Sequence, residues 1–258
     1  MRTERILQMD MTKIRELEAR LREMPLDDAT WFALGKEYFD TDFRKAHSCF
    51  SMALAQRPFN ADYRLNRGRK SLSLDSFEEA LADLSLAVRL DIEDGEKWHY
   101  LGNAYFFLGR YQQAVDCYKN AIERHRRNAV GLEAPAIDWI WMAYMQDGRP
   151  EEAMAYVKAN ASPDMHVEES DLSYKKRILL YAGYTDIDTY LREVVNYADQ
   201  LDAITELYGA VNYYLFIEPD REKAEEYLNK VLSYDQYHHA FAYKQALRLR
   251  AAFDKEAE

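Results

Sequence analysis

Residues 98–121 read WHYLGNAYFFLGRYQQAVDCYKNA. In this stretch Trp98, Leu101, Gly102 and Tyr105 follow the spacing W-x-x-L-G-x-x-Y, and Gly109, Tyr111, Ala114, Tyr118 and Ala121 come after at fixed offsets. Trp98, Leu101 and Tyr105 lie at i, i+3 and i+7, which puts them on one face of a helix. Tyr118 and Ala121 face the same seam from a second helix, and Gly109 punctuates the turn between the two. Gly102 and Ala114 are the small residues that let two antiparallel helix backbones approach closely. One such pair cannot bury both of its faces, so it must stack on others like it.

The neighbours are there in the sequence. Trp31, Leu34, Gly35 and Tyr38, then Ala46, Phe50, Ala53 and Pro58, repeat the pattern with a turn one residue shorter. Gly68, Phe77, Ala80, Leu84 and Ala87 make a third copy, with Asn66-Arg67-Gly68 in place of the usual Leu-Gly. Beyond residue 128 the helix-pair rhythm continues with weaker punctuation. A pair is expected over 134–160 around Trp139, Trp141 and Tyr144, with a turn at Gly148-Arg149-Pro150. Others are expected over 168–198, turning at Gly183, and over about 201–233, turning at Pro219-Asp220. A last helix near 238–254 reads as a solubilising cap. Residues 10–24 precede Pro25 as a second helix precedes Pro58, which makes them a half repeat.

Residues 28–127 resemble the tetratricopeptide repeat (TPR) family. The resemblance implies an all-α, right-handed superhelical solenoid of antiparallel helix pairs. The expected organisation is a single TPR-like domain over 1–258: a half repeat at 1–27, three clear repeats at 28–127, degenerate pairs at 128–236 and a capping helix at 237–258. The layout also resembles, more loosely, bacterial TPR adaptor proteins, although the lipidated cysteine of that group is absent; no partner and no residue role is transferred from them.

In TPR arrays the inner wall is built from positions 2, 5, 6, 9, 12 and 13 of the first helix of each repeat. Mapped onto this chain, the expected partner groove comprises Phe32, Lys36 and Phe39, then Leu65, Asn66, Arg69 and Leu72, then His99, Asn103, Phe106 and Phe107. Position 9 reads Lys36, Arg69, Asn103 along the wall. Two cations and an amide among Phe and Leu side chains suit an extended or helical peptide carrying acidic groups. Chaperone-binding TPR domains hold a C-terminal carboxylate with Lys, Asn and Arg at positions that carry Phe32, Lys36, Asn66, Glu96 and Tyr100 here. Only Asn66 matches and Glu96 reverses the sign, so chaperone-tail binding is not expected.

The formal net charge is -11, which argues against nucleic acid as a partner because phosphates are repelled. The short basic runs Arg64–Lys70 and His125–Arg127 read as solvated helix faces. Cys49 and Cys117 lie on the second helices of different repeats, too far apart to bridge, and outside any zinc spacing. No P-loop, H-E-x-x-H, G-x-S-x-G or dinucleotide fingerprint occurs, and His238-His239 cannot present both rings to a metal from one helix face. The reading is a non-catalytic scaffold or adaptor without cofactor or metal. It is expected to be cytoplasmic, since no secretory leader or membrane span is read, and a monomer or weak homodimer. The alternatives are a homo-oligomer joined through the terminal helices, where Leu7, Ile14, Leu17, Leu21 and Met24 form a near-heptad stripe, or a receptor for a signalling peptide.

Overall fold

The computed structural model describes residues 11–128, 133–194 and 200–257, which form fourteen α-helices and no strand among the described residues. They fall into two compact units that meet in sequence at residues 127 and 128.

The first unit contains α1 (Met11–Glu23), α2 (Asp28–Glu37), α3 (Phe43–Gln56), α4 (Ala61–Ser73), α5 (Phe77–Leu90), α6 (Gly95–Phe107) and α7 (Tyr111–Asn128). Each helix through α6 packs on the one before it. Its helix starts follow from the short polar residues just ahead of them. The carboxylates of Asp27, Asp42 and Asp94 accept from the backbone N–H groups of Thr30, Lys45 and Glu96, and the Asn60 side chain accepts from Asp62 and Tyr63. These bonds satisfy donors that a helix leaves without partners in its first turn.

The pair seams close where the sequence places a glycine. A Cβ on Gly35 would lie 2.5 Å from the Phe50 ring, one on Gly68 2.7 Å from Leu84, and one on Gly102 2.6 Å from the Tyr118 ring. Phe50, Leu84 and Tyr118 are fully buried, so they occupy the space that a larger residue would need. The turn after α6 closes on Gly109 at φ 72°. At the corresponding place after α4 stands Asp75 at φ 61°, a residue whose short polar side chain tolerates that conformation.

A second regularity ties each turn to the helix that follows it. Trp31 Nε1 donates to Pro25 O at 2.8 Å, Arg64 Nε to Pro58 O at 3.0 Å and Trp98 Nε1 to Ile92 O at 2.8 Å, each across six residues. The tryptophan at the head of the repeat is therefore only half-buried, and its indole N–H holds a turn carbonyl. Arg64 supplies the equivalent N–H where the second repeat lacks tryptophan. Of the face expected to be buried, Leu101 is buried while Trp98 and Tyr105 remain half-buried.

The middle of the apolar stripe on α1 is spent inside the molecule, while Met24 just past its end stays exposed. Ile14 and Leu21 are buried, with Leu17 beside them, in one cluster with Leu34, Tyr38, Phe39, Ala46, Cys49 and Phe50. Leu7 lies outside the described residues.

The second unit contains α8 (Glu133–Gln146), α9 (Pro150–Asn160), α10 (Leu172–Ala182), α11 (Ile187–Val194), α12 (Gln200–Phe216), α13 (Arg221–Leu232) and α14 (Phe241–Ala257). The expected pairs over 134–160, 168–198 and 201–233 correspond to α8–α9, α10–α11 and α12–α13. Every residue of α8 from Ala134 to Met145 is buried, which is why its sequence shows little amphipathic contrast. The α10 helix packs on α8, α9 and α12, and the terminal α14 packs on α12 and α13. Phe241 at the start of α14 also reaches the Trp139 ring of α8, centroid to centroid 5.7 Å.

Candidate partner-binding wall

The first helices of the three repeats, α2, α4 and α6, carry the residues expected to form the groove, and packing sorts those residues into two groups. Phe39, Leu65, Asn66, Leu72, Asn103, Phe106 and Phe107 are buried. Phe107 stacks on Phe77 of α5 at 5.1 Å, and Phe106 meets Tyr111 of α7 edge-on at 5.4 Å. The Asn103 carboxamide oxygen accepts from Tyr118 Oη at 2.7 Å. These side chains hold the helix pairs together. Phe32, Arg69 and His99 stay half-open and Lys36 is exposed.

The open residues are linked to one another. Phe32 stacks on Tyr63 at 4.6 Å. Lys36 Nζ donates to the Asn66 side-chain oxygen at 3.4 Å and lies 4.8 Å from the centre of the Phe39 ring. The Arg69 guanidinium sits between two rings, 4.7 Å from Phe39 and 4.4 Å from Tyr100, and pairs with Glu96 at 3.0 Å. His99 meets Tyr100 edge-on at 5.5 Å. Burial, and next the charge of Arg69, holds the Lys36 amine below the ordinary lysine value. Burial, with His125 and Arg69 adding repulsion, pushes His99 far down, so the imidazole is neutral at physiological pH. The wall thus presents two cations, a neutral imidazole and the Phe32 and Tyr100 rings, with Glu96 countering one of the cations.

Three contributors escape a reading of the sequence. Tyr100 and Glu96 occupy wall positions, but their engagement of Arg69 depends on how α4 and α6 are set side by side. Lys70, on the same basic run, is 3% exposed. Its ammonium donates to Phe39 O at 2.6 Å and lies 3.4 Å from the centre of the Phe39 ring and 4.7 Å from that of Phe43.

The run Arg64–Lys70 is thus not the solvated face that the sequence suggested. Arg64 and Arg67 both clamp the buried Asp83 carboxylate of α5, each at 2.6 Å, so one apparent basic patch is internal wiring between repeats. In the second basic run His125 is likewise buried, while Arg127 pairs with Glu123 and Glu93.

In the second unit most of the corresponding positions are closed. Aligned on the turn glycines Gly109, Gly148 and Gly183, they include Asp138, Trp139, Met142 and Gln146 on α8 and Tyr174, Arg177 and Tyr181 on α10. Gln146 is exposed and Tyr174 half-buried, and the others are buried. Asp138 pairs with Arg177 Nε at 3.2 Å, and the Tyr181 hydroxyl accepts from Arg177 Nε and from Asn212 Nδ2, both at 3.2 Å. Burial raises the Asp138 carboxyl to about 6 against the opposing pull of Arg177.

A family model for the tetratricopeptide repeat matches residues 96–128, the repeat on which the sequence reading began. The chain carries a tetratricopeptide repeat. It is 28% identical over 171 residues to Tetratricopeptide repeat protein 5 of Mus musculus, covering 63% of this chain and 32% of that protein. To the Bos taurus protein of the same name it is 34% identical over 128 residues, covering 43% of this chain and 28% of the relative. The chain therefore spans about a third or less of the length of these relatives. Among solved structures, a MamA chain beginning at residue 41 from Desulfovibrio magneticus RS-1 superposes with a TM-score of 0.52 at 17% identity, covering 57% of this chain and 80% of that one. At that identity the likeness shows the TPR fold alone.

Arrays of this repeat class serve in general as scaffolds for protein–protein interaction, because stacked repeats generate extended concave surfaces. Among the described residues no cluster of His, Cys, Asp and Glu could hold a metal ion, and no helix is long and apolar enough to cross a membrane.

Proposed function

We propose that this TPR chain is a scaffold or adaptor that holds a peptide segment of a partner protein along the inner wall of its first unit. The observation that carries this reading is the linked row Lys36–Phe39–Arg69–Tyr100–His99, in which the buried Phe39 ring joins the open residues of neighbouring repeats. Aromatic rings flanking cations give buried area and orientation together, the combination that dominates binding at protein interfaces. The cations set the partner chemistry as an acidic segment. Leu65, Leu72, Asn103, Phe106 and Phe107 support the wall from beneath.

The packing of Ile14, Leu17 and Leu21 on α2 and α3 favours this reading over a homo-oligomer joined through the first helix, since these three of the five stripe residues already have partners within the chain. The test is the double variant Lys36→Glu/Arg69→Glu. Affinity capture with the parent chain should retain partners that the double variant loses, at unchanged helicity by circular dichroism. Recovery of the same partners by the variant would show that the wall is not the binding surface.

A further inference from the structure

The Phe39 ring has cations on it from three residues. Lys36 Nζ and the Arg69 guanidinium lie 4.8 and 4.7 Å from its centre, and the ammonium of the buried Lys70 lies 3.4 Å from it. The hydrogen-bond acceptor of Lys70 is a single backbone carbonyl, Phe39 O. The charged groups around it are few. Lys36 and Asp40 come from α2 and the turn that follows, Arg69 is its neighbour on α4, and α3 contributes the uncharged Phe43 ring. Asp83 of α5 is committed to Arg64 and Arg67, and Glu96 of α6 to Arg69. Lys36 and Arg69 both disfavour a charge on Lys70, and Asp40 is the acid that favours it.

The acids in reach of the cluster are Asp40, Asp62 and Glu96; Glu96 pairs with Arg69, and among the described residues none pairs with Lys36 or Lys70. We propose that Lys36 and Arg69, both against the Phe39 ring, form a subsite for a carboxylate of the bound segment, and that the buried Lys70 takes up a proton when the subsite fills. A carboxylate arriving at Lys36 and Arg69 offsets the repulsion that their charges exert on Lys70, and so raises the proton affinity of the buried amine. By reciprocity, a protonated Lys70 strengthens the binding of the carboxylate. Burial lowers the Lys70 amine to about 7, which places the linkage in the physiological range. Binding therefore weakens as pH rises above that value, by at most about tenfold per pH unit for one linked proton. His99 is neutral throughout this range and takes no part. The inference deepens the peptide-wall reading above and rests on it.

The experiment uses the full chain and two blocked peptides, acetyl-hexaglutamate-amide and acetyl-hexaglutamine-amide, titrated calorimetrically at pH 7.5 in phosphate and in Tris. The difference in observed heat between buffers of unlike ionisation enthalpy counts the protons taken up. Hexaglutamate should bind with a net uptake of protons and weaken several-fold between pH 6.5 and 8.5, whereas hexaglutamine should not bind. Lys70→Arg keeps the charge but cannot titrate. It should bind hexaglutamate with no proton uptake and a flat pH profile, and it decides the matter even where Lys70→Met fails to fold. Failure of hexaglutamate to bind overturns the subsite. Binding with the same uptake in Lys70→Arg, or with none in the parent, overturns the role of Lys70. In either case capture of partners lost by Lys36→Glu/Arg69→Glu still upholds the wall itself, so the two claims fail separately.

Discussion

Replacing Gly102 by alanine sets two opposing effects against each other. In an open helix the change stabilises by about 1 kcal/mol through helix propensity. Here the new Cβ would lie 2.6–2.9 Å from three carbons of the Tyr118 ring. That ring has little freedom to withdraw, since Tyr118 is fully buried and its hydroxyl donates to Asn103 at 2.7 Å. Overpacking a filled site costs about 1–3 kcal/mol, so Gly102→Ala should lose the whole propensity gain and be destabilised by up to about 2 kcal/mol. Gly109→Ala in the same repeat is the control. It meets nothing within 4 Å but must hold φ 72°, which costs an L-residue about 1–2 kcal/mol of backbone strain. The two substitutions thus lose similar amounts for different reasons, and a Tyr118→Leu background separates them. Removing the ring should relieve most of the Gly102→Ala penalty, a coupling of about 1 kcal/mol or more, and leave the Gly109→Ala penalty untouched. Urea unfolding followed by circular dichroism gives the free energies, and hydrogen exchange of α6 and α7 amides locates the loss within the array. If Gly102→Ala is more stable than the parent by the full propensity gain, or equally destabilised in both backgrounds, close approach is not why glycine stands at this place.

Two further outcomes follow from the buried charges. Asp83→Ala strands Arg64 and Arg67 and should cost about 3 kcal/mol, the low end for a broken buried pair, because each guanidinium keeps about a fifth of its surface in water; a loss below 1 kcal/mol in urea unfolding would show that the clamp is not structural. Arg177→Met removes the cation that opposes burial at Asp138, so the folded-state carboxyl should rise further above its unfolded value near 3.9. The folded state then binds its proton more tightly than the unfolded state does, and the deficit against the parent should grow as pH climbs from 5 to 8, reaching roughly 3–5 kcal/mol. A deficit equal at both pH values would mean that Asp138 does not carry it.

Much of the fold is legible in one dimension. Glycine recurs where Phe50, Leu84 and Tyr118 need room, and aspartate or asparagine recurs one residue ahead of a helix. Both are local requirements of backbone and contact, so they leave their mark at fixed spacing. The wall is legible only in outline. Spacing names its positions, yet Phe32, Lys36, Arg69 and His99 remain open while Leu65, Leu72, Asn103, Phe106 and Phe107 fill the seams. The spacing of a single helix does not say how deeply the next helix will cover it.

The same division runs through the charges. From the sequence alone, 98–121 and its copies determine a stack of helix pairs, because apolar period, small residues and turn residues all act within one repeat. Only the tertiary structure decides that the run from Arg64 to Lys70 splits three ways: into a clamp on Asp83, a guanidinium between two rings on the wall, and a buried amine beneath it. The partners of those cations sit 16 to 31 residues away on other helices. Electrostatic pairing is set by distance in space, and the sequence records order along the chain.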